Sequence, residues 1–377
     1  MGDGGFQEIF REEIMTQEEY WFWLCSCEGI YPESIGALLA AYGSPQNIYM
    51  LDWGQLAHDK VLPQKLLWNL VNEKKTGNFL RRHEKLKELD MEFVYFESEK
   101  FPQRLRCIPN HPYCLYVRGR LPNPNLAACA MVGARACSGY GSKAAVDFAA
   151  ALAQEGIQVI SGMASGIDSI AQKAALDAGG ATFAVLGSGA DVIYPAENTK
   201  LYYRIINEGG GIISEYPPKT APAPWQFPHR NRIISGLADK LLIFEARKRS
   251  GTLSTARHAL DQGKDIYALP GRINDPLSEG CNELIFDGAG ILLSPGRIIN
   301  DFFSASETGE NAFWDAPASE KKENEEGLIR FLSYHAKNAD EIAAQAKISI
   351  EEAMVQLAML EIEGRVKEVG KNYYVKA

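Results

Sequence analysis

Short apolar runs alternate with helix-like segments between residues 92 and 303. Eight of these runs are short enough to be strands, and they cover residues 93–96, 114–117, 128–132, 158–160, 182–186, 211–213, 240–244 and 265–269. Segments with helical spacing of apolar residues, such as 141–155 and 167–178, follow several of the runs. Buried parallel strands are apolar along their length and are joined by crossover helices. The alternation therefore predicts an α/β fold with a doubly wound, mostly parallel sheet covered on both faces, which we place at residues 79–303.

Residues 1–78 have a helical pattern instead. An apolar stripe begins at residues 21–24 and continues over 35–42, where Gly43 ends it. The segment is predicted to be a small helical domain of the SAM or helix-hairpin-helix type. The Gly-apolar-Gly turn with which such domains grip a phosphate backbone is missing, because Tyr31 follows Gly29 and Ile30. Packing or a partner contact is therefore favoured over DNA binding for this domain.

The end of the chain divides into an acidic linker and a small domain. Residues 304–326 carry many carboxylates and few lysines, which is typical of a linker. The tail, 327–377, has three helical segments (327–335, 340–346 and 349–363) and a hairpin (365–369 with 372–375), the pattern of a winged helix. Its expected recognition helix contains Glu351, Glu352, Glu361 and Glu363 and no lysine or arginine, so a structural or protein-contact role is favoured over duplex reading.

Composition excludes several classes of protein. The net charge is −9, with 46% hydrophobic and 23% charged residues, as in a soluble globular protein. No run approaches the roughly 18 apolar residues of a membrane span, and no secretory signal is visible, so we expect a cytoplasmic location without a membrane partner. The seven cysteines form no CxxC pair, which predicts no zinc site, and no other metal is expected.

The segment from Pro217 to Arg257 reverses the charge balance, with eight lysines and arginines against two acids. It contains the sequence Phe-Pro-His-Arg-Asn-Arg-Ile-Ile-Ser-Gly at 227–236. Arginine offers planar donors for phosphate, asparagine can pair with a base edge, and phenylalanine can stack on a base. An exposed basic loop leading into a helix is the alternative interpretation of this segment.

Three turns rich in small residues, at 132–141, 161–168 and 186–191, follow predicted strands and open predicted helices. Such turns meet at the carboxyl ends of parallel strands, where glycine and helix N-termini can bind an anion. The basic turn 245–256, with Arg249, Ser250 and Thr252, would add positive charge at the entrance of such an anion site. Glycine also serves close strand–helix packing, so each turn alone is weak evidence. Neither GxGxxG nor a Walker motif is present, and no cofactor is predicted.

The order of these motifs resembles the DNA-processing protein A (DprA/Smf) family over about 210 residues. The matching segments are 132–135, 161–168, 184–189, 194–195, 214–218, 227–237, 250–256 and 269–271. The resemblance implies a Rossmann-like domain that binds single-stranded DNA, protects it and helps load the RecA recombinase during natural transformation. It also implies a homodimer formed through the Rossmann-like domain and a protein that is not an enzyme.

Carried to this chain, the resemblance implies two groups of site residues. Side chains expected to line a DNA groove are those of Arg135, Lys219, Phe227, Arg230, Asn231 and Arg232, with Arg249, Ser250 and Thr252 at its entrance. Backbone amides expected to meet phosphates are those of Gly133, Ser161, Gly162 and Gly166. One departure is Gln172, where the family often has histidine, so a role that needs a titrating imidazole is in doubt.

Two other functions stay open on the sequence. The first is an enzyme acting on a nucleotide or phosphoribosyl ligand, for which Asp168, Asp191 and Glu215 are candidate acids or bases. Each has a structural alternative, since the first two can cap helices and Glu215 can pair with an arginine. His229 and His258 have no obvious nucleophile beside them. The second is a scaffold whose end domains recruit proteins.

Overall fold

A computed structural model describes residues 15–304, 328, 332, 337–346, 348–362, 365–370 and 372–376 of the protein. The chain divides into two compact units, Met1–Glu307 and Thr308–Ala377. The predicted acidic linker and the first predicted helix of the tail fall almost entirely outside the described residues.

The described part of the first unit is built on a nine-stranded sheet in the order β1-β2-β6-β5-β4-β3-β7-β8-β9. The strands are β1 (Glu92–Tyr95), β2 (Cys114–Gly119), β3 (Ala128–Gly133), β4 (Gln158–Ser161), β5 (Thr182–Leu186), β6 (Gly211–Ser214), β7 (Lys240–Phe244), β8 (Asp265–Ala268) and β9 (Gly290–Ile291). β2 is antiparallel to both β1 and β6, and every other neighbouring pair is parallel. The predicted fold class is confirmed, and all eight predicted strands are present.

Helices surround this sheet on both faces. They are α1 (Gln17–Ser26), α2 (Pro32–Tyr42), α3 (Pro45–Met50), α4 (Trp53–Asp59), α5 (Gln64–Thr76), α6 (Asn78–Glu88), α7 (Gln103–Arg106), α8 (Gly139–Gln154), α9 (Ile167–Asp177), α10 (Thr199–Asn207), α11 (Gln226–Leu237), α12 (Thr252–Asp261), α13 (Glu279–Phe286) and α14 (Pro295–Ser304). The central strands β4 to β7 are buried along their whole length, because helices cover the sheet on both sides.

The N-terminal helices share a core with the antiparallel end of the sheet. Trp21 and Phe22 of α1 belong to one buried cluster with Phe93 of β1 and Tyr116 of β2. Helices continue to Glu88, so α6 lies beyond the predicted boundary at residue 78, and that boundary falls inside the first compact unit. The N-terminal helices therefore share one continuous core with this end of the sheet.

The described residues of the second unit include α15 (Ala339–Ala346), α16 (Ile350–Ile362) and a three-stranded antiparallel sheet of β10 (Lys337–Asn338), β11 (Val366–Gly370) and β12 (Tyr373–Lys376). Ile342, Leu357 and Val366 are in its small core. The Ser349 hydroxyl accepts a hydrogen bond from the Glu352 amide at 3.1 Å and so caps the start of α16. The predicted winged-helix elements are confirmed where the structure describes them.

Within the described part of the chain, no helix combines the length and the apolar character needed to cross a bilayer.

Candidate nucleic-acid interface

A cleft of about 540 Å³ opens at the carboxyl ends of β3 and β7. β3 lies between β4 and β7, so the chain runs from β3 to one side of the sheet and later returns on the other side. Ligands of doubly wound sheets bind at such a switch point, because the connections on its two sides diverge and leave a crevice. The cleft is lined by the turn after β3, the first turns of α11, and the turn between β7 and α12.

The cleft is positively charged. In the described part of the chain, four arginines line it against one aspartate, Asp168, which gives a net charge of +3. Arg135, Arg247 and Arg249 are exposed at its rim. Among the described residues, these three side chains form no ion pair. Their guanidinium groups can therefore bind an anion without breaking an existing salt bridge.

Two aromatic rings form one wall of the cleft. The Phe227 and Tyr194 rings are 5.6 Å apart between centroids and are inclined by 34°. The Arg135 guanidinium carbon lies 5.6 Å from the Phe227 ring centroid. Phe227 is half-buried against Gly187, where an added methyl would come within 2.9 Å of the ring. The third glycine-rich turn therefore seats the Phe227 ring in the cleft wall.

Arg230 forms the floor of the cleft and is only 4% exposed. Its guanidinium donates to the carbonyls of Gly162, at 3.1 Å, and Val185. Burial lowers the pKa of Arg230 to about 10, and the nearby charge of Asp168 opposes that shift. Arg230 thus lies in the predicted cleft, but much of its donor capacity is directed into the protein.

Asp168 occupies one of the amides that were predicted to meet phosphate in the second glycine-rich turn. Its carboxylate accepts a hydrogen bond from the Gly162 N–H at 3.1 Å. Burial raises the pKa of Asp168, whereas Arg230 and the amides of Ala164 and Gly162 lower it. The Ser161 side chain is fully buried and donates to the Met131 carbonyl at 2.6 Å. A carboxylate therefore already occupies the Gly162 amide, whereas the expected contact of the Ser161 amide with phosphate stays a prediction.

Gly133 and Gly166 serve close packing. An added methyl on Gly133 would lie 1.9 Å from the Phe244 carbonyl oxygen. Gly166 has φ +79°, and a methyl there would lie 2.3 Å from the carbonyl oxygens of both Ala134 and Arg135. Only glycine fits these positions. Gly133 lies in the cleft wall, and Gly166 supports the turn that carries Arg135.

The remaining predicted polar residues connect α11 to the start of α12. The Asn231 side-chain amide donates to the Ser254 hydroxyl at 2.8 Å. The Ser250 hydroxyl accepts from the Thr252 amide at 3.1 Å, and the Thr252 hydroxyl donates to the Gly133 carbonyl at 3.1 Å. Asn231, Ser250 and Thr252 all line the cleft, so these bonds fix its shape.

Two predicted groove residues lie elsewhere. Arg232 is 2% exposed and binds Glu215 through two hydrogen bonds of 2.7 and 2.9 Å, while it also donates to the Asn110 carbonyl. Because Arg230 and Arg232 are two positions apart on α11, their side chains leave the helix in different directions. Lys219 is exposed on the loop after β6 and does not line the cleft. Arg232 and Lys219 therefore do not line this cleft, and their predicted contact with DNA stays a prediction.

The candidate acids have structural partners. Glu215 pairs with Arg232, as its structural alternative predicted, and Asp191 accepts a hydrogen bond from the Lys219 amide at 2.8 Å.

Gln172, where the family often has histidine, is buried and donates a hydrogen bond to the Phe183 carbonyl at 3.0 Å, so it joins α9 to β5. Among the described residues no cluster of His, Cys, Asp or Glu could hold a metal ion.

Tyr194 and Arg247 line the cleft but were not among the site residues predicted from the sequence. Both left a signal. Tyr194 is in the Tyr-Pro pair that the family resemblance includes, and Arg247 begins the basic run before Arg249. Neither signal shows that the side chain turns into the cleft.

The chain matches two family models. The model described as DNA recombination-mediator protein A covers residues 92–303, and the DprA winged helix domain covers residues 315–370. Protein Smf of Escherichia coli (strain K12) is 36% identical over 281 residues, which are 74% of this chain and 75% of that protein. DNA processing protein DprA of Streptococcus pneumoniae (strain R6) is 40% identical over 219 residues, which are 57% of this chain and 77% of that protein.

Solved structures give the same result. The crystal structure of DprA from Streptococcus pneumoniae aligns with a TM-score of 0.65 and 31% identity over 76% of this chain and 98% of that chain. The structure of DNA processing protein A from Helicobacter pylori, which concerns its single-stranded DNA binding mode, aligns with a TM-score of 0.50 and 30% identity over 57% of this chain and 97% of that chain. The matches to sequence and structure together show that this chain belongs to the DNA recombination-mediator protein A (DprA/Smf) family.

Proposed function

We propose that the protein binds single-stranded DNA without sequence specificity in the cleft between β3 and β7, protects it, and helps load a RecA-type recombinase onto it. One observation carries the binding proposal: exposed arginines surround a half-exposed aromatic ring in a single cleft. The arginines can neutralise the backbone, and the ring can stack on any base. The Helicobacter pylori relative, which is described with a single-stranded DNA binding mode, supports the same proposal.

Single strands are favoured over duplexes by the same geometry. Phe227 and Tyr194 can stack only on a base whose face is free, whereas the faces of duplex bases are covered by their neighbours. The residues proposed to contact the strand are Arg135, Tyr194, Phe227, Asn231, Arg247, Arg249, Ser250 and Thr252.

The binding proposal is tested by a salt titration. Anisotropy of a labelled oligothymidylate and of a duplex of equal length is measured at several salt concentrations. We expect tighter binding of the single strand and a linear fall of log K with log salt. Equal affinity for both forms, or affinity that does not change with salt, would refute it.

Protection and recombinase loading are finer parts of the proposal. A nuclease digestion with and without the protein tests protection. Loading is tested by recombinase assembly on a strand that is already coated with a single-strand-binding protein.

The acidic helix α16 is proposed to contact protein rather than DNA, since Val355 and Met359 are exposed one turn apart beside Glu351 and Glu352. Loss of loading with retained DNA binding on deletion of Thr308–Ala377 is expected if this unit recruits a protein. We propose a cytoplasmic location, where such a strand and a recombinase meet.

A homodimer is proposed through the far end of the sheet. Leu260 of α12 is 70% exposed and Phe286 of α13 is 90% exposed, both helices contact β8, and β9 beyond it is the edge strand. Large exposed apolar side chains near an open sheet edge are typical of an interface. Phe286→Asp should therefore yield monomers by light scattering, whereas Tyr203→Asp, on α10 at the other side of the sheet, should not.

An enzyme has less support. Asp168 is the one carboxylate that the described residues contribute to the cleft lining, and it already accepts backbone amides beside Arg230. A group held in this way is poorly placed to exchange protons with a ligand. Nucleotide turnover that disappears in Asp168→Asn would favour the enzyme.

A further inference from the structure

A second pocket lies on the other side of the first turn of α11. Its volume is about 290 Å³, and it is bounded by the loop between α1 and α2, the start of β2, and the loop that leads into α11. Aromatic rings form its most exposed walls. Trp225 is 50% exposed and Tyr31 is 44% exposed, whereas Tyr216 is buried.

The rings of this pocket form a corner. Trp225 is almost perpendicular to Tyr31, at 83° with centroids 5.5 Å apart, and to Tyr216, at 85° with centroids 6.0 Å apart. Edge contacts of this kind hold the indole in place and leave part of its surface open to solvent. A planar ligand that stacked on the indole would need little reorganisation of the pocket.

The pocket and the cleft share one helical turn. Trp225, Gln226 and His229 line the pocket, whereas Phe227 and Arg230 line the cleft. The two openings are therefore separated by about one helix diameter, roughly 10 Å. A flexible single strand that leaves the cleft can cross this distance within a few nucleotides.

Charge decides which part of a strand can enter the pocket. Among the residues that the structure describes, no lysine or arginine lines it. Glu28 lines it directly, Glu33 lies close enough to influence His229, and Glu215 is already neutralised by Arg232. Glu28 and Glu33 repel phosphate, while the aromatic walls favour an uncharged ring.

We propose that this pocket receives one nucleobase of the strand held in the cleft, stacked on Trp225. The inference rests on the proposed function of the cleft. It gives the N-terminal helical domain, through Tyr31, a direct part in holding the strand.

The test uses oligonucleotides that separate the two sites. One set has a thymidylate core that fills the cleft and a thymidylate tail at either end, and the other has the same core with a tail of abasic nucleotides. Both carry the same number of phosphates, so a difference between them reports tail bases alone. Binding of the core without a tail reports the cleft.

Wild type should bind the strand with tail bases about tenfold more tightly than the strand with an abasic tail, as for one stacked base. Trp225→Ala should lose this difference and keep the affinity for the core, whereas Trp225→Phe should retain most of it. Trp68→Ala, which removes a 57% exposed tryptophan on α5, should behave as wild type. Thermal unfolding of each variant confirms that it is folded.

Equal affinity of wild type for the two tails would overturn the inference, as would a folded Trp225→Ala that still distinguishes them. Either result leaves the cleft proposal intact as long as the core binds. Failure of the core itself to bind would instead refute the proposed function.

Discussion

The guanidinium of Arg135 lies 5.6 Å from the centre of the Phe227 ring. One residue belongs to the turn after β3 and the other to the first turn of α11, so this contact joins two walls of the cleft. A cation beside an aromatic ring stabilises both positions modestly. The group proposed to bind phosphate and the ring proposed to stack on a base therefore lie side by side in the cleft.

Phe227→Ala should weaken the binding of single-stranded DNA by about 1–3 kcal/mol, because one stacked base is lost. Phe227→Leu should lose most of the same amount, since an aliphatic side chain fills the space without a ring. Titration of an oligothymidylate by anisotropy measures both. Trp68→Ala is the matched control, and an unchanged affinity of Phe227→Ala would remove the stacking role.

Arg249→Ala should make the salt dependence of binding shallower by about one unit in log K against log salt, because one fewer counterion is released. Arg249 is exposed at the cleft rim, so its loss should not change the fold. The equivalent change at the exposed Arg81 of α6 should leave the slope as in wild type. Equal slopes for all three proteins would show that Arg249 does not contact the backbone.

Arg230→Ala should act mainly on stability. The buried guanidinium donates to the Gly162 and Val185 carbonyls and lies near Asp168, so its removal leaves a buried carboxylate without a counter-charge. We expect a loss of about 3–5 kcal/mol in the free energy of unfolding. The double variant Arg230→Ala/Asp168→Ala should lose less than the sum of the two single changes. Denaturant unfolding measures the cycle, and additive losses would mean that the two charges are not coupled.

Stability should fall as the pH is lowered through the histidine range. Burial lowers the pKa of His111, His229 and His258, and the charge of Arg232 adds to the effect at all three. As the pH falls, these histidines take up protons in the unfolded chain near the ordinary histidine pKa of about 6.5, before they do so in the folded protein. Their contribution to the free energy of unfolding is therefore present above that pH and is lost below it. Urea midpoints between about pH 7.5 and 5.5 should fall, and less so in His229→Gln. A midpoint that does not change with pH would contradict this.

Most of the fold could be predicted because a continuous run of apolar residues indicates a strand that is buried on both faces. All eight predicted strands are present, whereas β9, with only two residues, has too short a pattern to detect. Helices continue through α6, whose exposed lysines and arginines conceal the apolar positions Phe79 and Leu86.

The site was less predictable than the fold. The stretch at 227–236 suggested a row of exposed basic groups, but it lies within α11, and helical periodicity directs Arg230 and Arg232 to different buried surroundings. Their partners, the carbonyls of Gly162 and Val185 and the carboxylate of Glu215, are distant in sequence. Asp168 was likewise identified in the sequence only as a candidate acid or base, and its hydrogen bond to the Gly162 amide could not be predicted.

The most direct test of the cleft as the DNA site is site-specific photocrosslinking. A benzoylphenylalanine replaces Tyr194, which lines the cleft, or Tyr203, which is equally exposed on α10 and lies outside it. After irradiation with labelled oligothymidylate, we predict a strong covalent adduct at position 194 and only background at position 203. Equal labelling of the two positions, or labelling at 203 alone, would contradict a strand held between Arg135 and Phe227.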